Sequence, residues 1–164
     1  MEKLLFVEYE KCAGCRTCEI ACATLHEKVA NPSLARIHVV KWEADGVDVP
    51  VVCQQCDRPS CQAVCPTGAT YRDEATGAIS VDQKRCIGCR MCVLACPFGA
   101  TTFDFRARRI LKCTLCDGDP ACAKFCTTGA LQYVPATRAM LTRKRRAGRR
   151  LAEAVDTASD RAAG

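Results

Sequence analysis

Sixteen of the 164 residues are cysteine, and they fall into four groups of four. The groups read Cys12-x2-Cys15-x2-Cys18-x3-Cys22, Cys53-x2-Cys56-x4-Cys61-x3-Cys65, Cys86-x2-Cys89-x2-Cys92-x3-Cys96 and Cys113-x2-Cys116-x5-Cys122-x3-Cys126. Two residues between cysteines let a tight loop bring both sulfurs to one centre. A third cysteine shortly after continues the wrap. Four thiolates are the ligand complement of one 4Fe–4S cluster, so sixteen predict four 4Fe–4S clusters. The chemistry these thiols point to is one-electron transfer.

The fourth cysteine of each group lies one helical turn beyond the third. At 1.5 Å per residue that displaces it by about 6 Å, too far to close the same cube. In two-cluster ferredoxins this cysteine ligates the neighbouring cluster. The second and third groups are joined by a hairpin-length segment, Gly68 to Asp82, and are expected to exchange their last cysteines. The first and fourth then pair around them. The expected ligand sets are Cys12, Cys15, Cys18 and Cys126; Cys53, Cys56, Cys61 and Cys96; Cys86, Cys89, Cys92 and Cys65; and Cys113, Cys116, Cys122 and Cys22.

Zinc is the rival reading. Structural zinc prefers two Cys-x2–4-Cys pairs separated by a dozen or more residues. Here the third cysteine follows too soon, and Cys-Pro recurs at Cys65-Pro66 and Cys96-Pro97. The widened loops of the second and fourth groups also admit a 2Fe–2S or 3Fe–4S centre, yet no cysteine is missing. Nothing else in the chain offers catalysis: there is no Gly-x-Gly-x-x-Gly and no phosphate loop. His26 and His38 are isolated and read as surface or satisfied side chains. Lys11, Arg85 and Lys112 each precede the first cysteine of a group. A cation there either raises a cluster's potential or simply faces solvent, screened by salt.

The elements around these groups are short. The x3 spacings place helices at Cys18–Glu27, Cys61–Cys65, Cys92–Cys96 and Ala121–Cys126. Strand-like runs cover Leu4–Tyr9, Arg36–Lys41, Ala69–Arg72, Ala78–Val81 and Ala130–Val134, with a hairpin turn near Gly77. Three groups end alike, in Cys65-Pro66-Thr67-Gly68-Ala69, Cys96-Pro97-Phe98-Gly99-Ala100 and Cys126-Thr127-Thr128-Gly129-Ala130. Each glycine stands where a turn needs positive φ. After Pro135 the composition turns to Arg, Lys, Ala and Leu. Met140, Lys144, Ala147, Leu151, Val155 and Ala158 recur at helical spacing, which predicts an amphipathic helix over 137–158 and a frayed end.

Hydrophobic content is 49% with the cysteines included, so the true apolar share is about two-fifths and aromatics are 5%. Such a chain builds a thin core unaided and needs staples. A disulfide framework is rejected, because it does not require this repeated spacing and the first residues form no signal peptide. No stretch reaches the length of a membrane span. A cytoplasmic setting is expected, although a leaderless subunit can be exported bound to a partner. The formal charge is +6 with neutral thiols. A cluster with its thiolates carries roughly two negative charges, so the loaded protein is expected near −2. Arg138, Arg143, Lys144, Arg145, Arg146, Arg149 and Arg150 give seven cations with no acid among them. This basic tail docks on a partner, docks on another copy in a head-to-tail array, binds nucleic acid or serves solubility. Nucleic acid is disfavoured by the lack of an aromatic to stack bases.

The nested four-group pattern resembles the electron-transfer subunits of molybdenum and tungsten oxidoreductases, formate dehydrogenases, dimethyl sulfoxide reductase, hydrogenases and carbon monoxide dehydrogenases. The likeness covers about residues 3–135. The stretch from Lys11 to Cys22, followed by Asn31 to Val39, is most similar to the small ferredoxin-like subunit of tungsten-dependent aldehyde oxidoreductases. The resemblance implies an α+β chain of nested two-cluster ferredoxin-like domains. The outer one takes 1–52 and 107–136, the inner one 53–106, and a basic tail 137–164. It also implies a large tungsten- or molybdenum-pterin catalytic partner and a flavin subunit that meets NAD. Thr127 departs from the expected proline, and no C-terminal membrane helix is seen, so direct membrane insertion is not expected. The chain itself is expected to be non-catalytic. A zinc-binding nucleic-acid module and a cluster-based redox sensor are the readings from other classes. A brown colour bleached reversibly by dithionite would exclude zinc.

Overall fold

The computed structural model describes residues 3–162, with side chains through Arg150. Among the described residues eight strands pair in four separate antiparallel ribbons, and no ribbon joins another. Strand β1 (Lys3–Val7) pairs with β8 (Leu131–Pro135), β2 (Ile37–Trp42) with β3 (Val47–Val52), β4 (Thr70–Arg72) with β5 (Ile79–Val81), and β6 (Thr102–Asp104) with β7 (Arg109–Leu111). The helices are α1 (Thr17–Glu27), α2 (Ser60–Ala63), α3 (Met91–Leu94), α4 (Ala121–Lys124) and α5 (Ala136–Ala162). Among the described residues no helix is long and apolar enough to cross a membrane.

The first ribbon joins the two ends of the cysteine-bearing region, with Leu4 opposite Val134 and Val7 opposite Leu131. Helix α1 packs on α4, and α2 on α3. Cys18 and Cys22 lie four residues apart on α1 and share its buried face, as helical spacing requires. Glu19 on the same helix is also buried. Its carboxylate accepts the Val39 N–H at 2.6 Å and so ties α1 to β2. The turn after each of three cysteine groups is the same: Gly68, Gly99 and Gly129 have φ of +61°, +61° and +68°. Each glycine N–H donates to the carbonyl of the cysteine three residues before it, at 3.2 Å.

The core is made of sulfur as much as of carbon. One cluster gathers Cys18, Cys22, Cys53, Cys113 and Cys122 with Ile37, Val52 and Leu115; a second gathers Cys61 and Cys92 with Ile79 and Ile110. Two elements lie outside the sequence reading. Strand β3 carries Pro50 opposite Val39. It is tolerated because a two-stranded ribbon has an unpaired edge for it. The β6–β7 hairpin has three residues per strand, too few for a period to be read. Its tip is held by Asp104, whose carboxylate accepts the N–H groups of Arg106 and Ala107 at 3.0 Å.

Helix α5 differs from its expected form. It runs to Ala162, four residues past the expected end at 158. Its inward residue is Ala139, packed with Phe6 and Val134, whereas Met140 is 58% exposed. The inner face then continues as charge: Arg146 pairs with Glu8 at 3.2 Å and Glu10 at 2.6 Å, and Arg150 with Glu10 at 2.8 Å. The side chains of Leu151, Val155 and Ala158, the rest of the expected stripe, lie outside those described.

Candidate iron–sulfur sites

Three cavities of similar size are each lined by four cysteines drawn from two motifs. Cys12, Cys15, Cys18 and Cys126 surround about 310 Å³ of non-atom space. Cys22, Cys113, Cys116 and Cys122 surround about 290 Å³. Cys65, Cys86, Cys89 and Cys92 surround about 320 Å³. The remaining four cysteines are placed differently. Cys53 and Cys56 line one side of a groove bounded by β1 and α5. Cys53, Cys61 and Cys96 all face the ammonium of Lys112.

Each helix that carries cysteines reaches two of these quartets. Helix α1 sends Cys18 into one cavity and Cys22 into the next. Helix α4 bears Cys122, with Cys126 just past its end in the first cavity. On the other side α2 carries Cys61, with Cys65 two residues past its end, and α3 carries Cys92, with Cys96 two residues past its end. The two halves meet where Cys53 is buried in one core cluster with Cys22, Cys113 and Cys122. The quartets therefore stand in a row, with those of Cys12 and Cys86 at the ends. The two exposed cysteines, Cys15 and Cys89, belong to these end quartets.

The surroundings fit a bound anionic cluster. Burial, with neighbouring negative charge, pushes the Cys18 and Cys113 thiols up to about 12 and raises Cys122 as well. Thiolates so crowded persist only beside positive charge such as iron. At Cys65 burial works the same way, but the Thr70 N–H and the Thr67 and Thr70 hydroxyls outweigh it and bring the thiol down to about 7. Backbone donors also point at sulfur: Arg36 N–H lies 3.3 Å from Cys22 Sγ, and Leu131 N–H 3.4 Å from Cys126 Sγ. Among the described residues no three thiols, imidazoles or carboxylates converge on a single ion. Three of the quartets line a cavity of their own.

Lys112 supplies the clearest test of fit. It is 5% exposed, yet its Nζ meets Cys53 Sγ at 3.5 Å and the Thr101 hydroxyl at 3.3 Å, with Cys61 also beside it, and pairs with no carboxylate among the described residues. A buried ammonium without a carboxylate is costly unless another anion stands beside it. Lys11 and Arg85 behave otherwise. Lys11 pairs with Glu8 at 2.6 Å and is half exposed, and Arg85 donates to the Thr67 carbonyl at 2.7 Å from the surface. Only one of the three cations preceding a motif thus faces a quartet.

Two contacts escaped the sequence reading. His26 Nε2 lies 3.5 Å from Cys116 Sγ, and burial together with Arg36 lowers its pKa. Its place four residues after Cys22 on α1 was the available clue. His38 is satisfied at 3.2 Å by the Thr102 hydroxyl. Gln55 is buried, accepts the Ile79 N–H at 2.7 Å and donates to the Cys113 carbonyl at 3.0 Å. It joins the second motif to the fourth, and no residue pattern announces it.

Comparison with known proteins agrees with this geometry. Residues 44–136 match the model of the 4Fe-4S dicluster domain, and residues 9–25 a 4Fe-4S binding domain. The chain is 40% identical over 147 residues to YsaA of Escherichia coli K12, covering 80% of this chain and 89% of that one. It is 38% identical over 122 residues to the polyferredoxin-like subunit of the aliphatic sulfonate oxidoreductase of Pyrococcus furiosus, covering 74% and 70%. It is 37% identical over 156 residues to the electron transport protein HydN of Escherichia coli K12, covering 80% and 87%. A row of four-cysteine sites in a small α+β frame, matched by these models and relatives, places the chain in the 4Fe-4S dicluster domain family, with four 4Fe–4S clusters as its cofactors.

Proposed function

We propose that this chain is the electron-transfer subunit of an oxidoreductase complex and performs no catalysis of its own. When bound, each cluster accepts and releases one electron. The ligand sets are those of the four quartets: Cys12, Cys15, Cys18 with Cys126; Cys113, Cys116, Cys122 with Cys22; Cys53, Cys56, Cys61 with Cys96; Cys86, Cys89, Cys92 with Cys65. The observation that carries this reading is the three cavities lined by cysteines from two motifs each. The outer unit, 1–52 with 107–136, and the inner unit, 53–106, then hold two clusters apiece. The protein's own part is to keep neighbours close through shared helices, exclude water from the inner quartets and set local charge. Thiols that must stay reduced to ligate iron suit a reducing compartment such as the cytoplasm.

One end of the row exchanges electrons with a large catalytic subunit, which we take to be a tungsten- or molybdenum-pterin aldehyde oxidoreductase. The other end serves a flavin/NAD subunit or a ferredoxin. The support is the run from Lys11 to Cys22 and the oxidoreductase subunit among the relatives. Hydrogenase, formate dehydrogenase and carbon monoxide dehydrogenase complexes would use the same kind of wire. Anaerobic isolation of the full chain is expected to yield about sixteen iron and sixteen acid-labile sulfide per chain. Zinc in place of sulfide overturns the proposal. Metal analysis of the complex the chain brings from its own cells decides the partner: tungsten or molybdenum supports the pterin enzyme, and nickel points to a hydrogenase or carbon monoxide dehydrogenase.

A further inference from the structure

The surface over the Cys86 quartet is apolar at its centre and cationic at its edge. Ile87 is 67% exposed, Met91 46%, Leu94 81% and Phe105 73%. Ile87 sits in the loop between Cys86 and Cys89. Met91 and Leu94 stand one turn apart on α3. Phe105, at the tip of the β6–β7 hairpin, meets Phe103 edge to face with ring centroids 5.0 Å apart. The Arg90 guanidinium lies over both rings, at 5.6 and 5.7 Å, and a Cβ at Gly88 would touch Phe103. These contacts join the third motif, α3 and the hairpin tip into one continuous face.

A contiguous exposed apolar patch of this kind marks a protein-binding surface. Its rim decides the chemistry of the occupant. Arg85, Arg90, Arg106 and Arg108 are all exposed around it. The only acid from 83 to 112 is Asp104, whose carboxylate is engaged in the hairpin tip. Beneath the patch lies an end quartet of the row, with Cys89 exposed.

We propose that this face docks a redox protein whose own surface is apolar at its centre and acidic at its rim, and whose redox centre then lies opposite Cys89. The inference rests on the electron-transfer reading. One electron leaves one centre and enters the other, with no bond made or broken. Apolar contact removes water from the gap, and the arginines orient the partner by charge. The basic helix α5 is not this surface. Its Arg146 and Arg150 already engage Glu8 and Glu10 of the same chain.

Carbene footprinting of the full-length holoprotein tests the assignment, comparing it alone with the complex it forms when purified anaerobically from its own cells. Labelling at Met91, Leu94 and Phe105 is expected to fall about tenfold in the complex, while Met140 and Leu141, on α5, keep theirs. Protection of Met140 and Leu141 in place of Met91 overturns the proposal. So does protection of the patch in the isolated protein by a second copy, as detected by sedimentation. The double variant Leu94→Glu, Phe105→Glu is expected to keep its iron and visible spectrum but to lose the partner about tenfold, and retention of the partner would overturn the docking face. Failure of the underlying reading shows separately, as a holoprotein that dithionite does not reduce.

Discussion

Lys112 concentrates the electrostatics of the row in one side chain. Burial works against its charge, but the Cys53 and Cys61 thiolates outweigh it and raise its pKa, so it stays an ammonium. An electron added to the adjacent cluster meets a fixed positive charge. At an effective dielectric near 20, a unit charge about 5 Å away is worth roughly 3 kcal/mol. For a one-electron couple that corresponds to on the order of 100 mV. Lys112→Gln should therefore lower the potential of one cluster by about that much and leave the others in place, and Lys112→Arg should recover most of the loss. Redox titration of the holoprotein followed by electron paramagnetic resonance reads this directly; a shift of less than about 20 mV would refute the role. Arg85 is the internal control. It lies at the surface, bonded to the Thr67 carbonyl, where salt screens it, so Arg85→Gln should leave every potential unchanged.

The helices and hairpins act as clamps between quartets, and Glu27 closes one of them. At the end of α1 its carboxylate bonds both Arg36, before β2, and Arg109, on β7. Burial raises its pKa, but the two guanidinium groups more than reverse that and hold it below the usual carboxylate range. Glu27→Gln takes the carboxylate from Arg36 beside the Cys113 quartet and leaves Arg109 only Asp104, 3.6 Å away. The expected cost is about 2 kcal/mol, in the range of lost charged hydrogen bonds. Because cluster loss makes unfolding irreversible, the readout is a rate: the variant should lose its visible absorbance on heating several times faster than the parent. Equal bleaching rates would show that Glu27 adds nothing to the hold that the cysteines and Glu19 have on α1. Much of this scaffold was legible beforehand. Four helices start or end within two residues of their expected places, because the cysteine spacing itself sets helical phase. Nesting the first group with the fourth brings the run Leu4–Tyr9 beside Ala130–Val134, where β1 and β8 pair. Strand β3 was hidden by Pro50, and β6–β7 by brevity and a run of arginines. The order of the quartets was not legible either. It depends on Cys53 meeting Cys113 across 60 positions of sequence, a contact held by Gln55 and Lys112 and not by any local pattern.

At the scale of the molecule, the clusters change the sign of the protein. Counted with neutral thiols, the metal-free chain carries a formal +6. Each 4Fe–4S core with four thiolates brings roughly two negative charges, so four give about −2 and three give about zero. The positive charge that remains is not spread evenly. It sits on α5 and on the face between 84 and 112, and the holoprotein is therefore a strongly polar object of small net charge, the kind of distribution that orients partners more than it attracts them. Electrophoretic mobility in anaerobic buffer at pH 7 tests the whole ledger at once. The metal-free chain is expected to move to the cathode and the loaded chain to the anode, with dithionite moving the latter further. A loaded protein that still runs as a cation would contain at most two clusters, too few to link the two end quartets through those of Cys113 and Cys53.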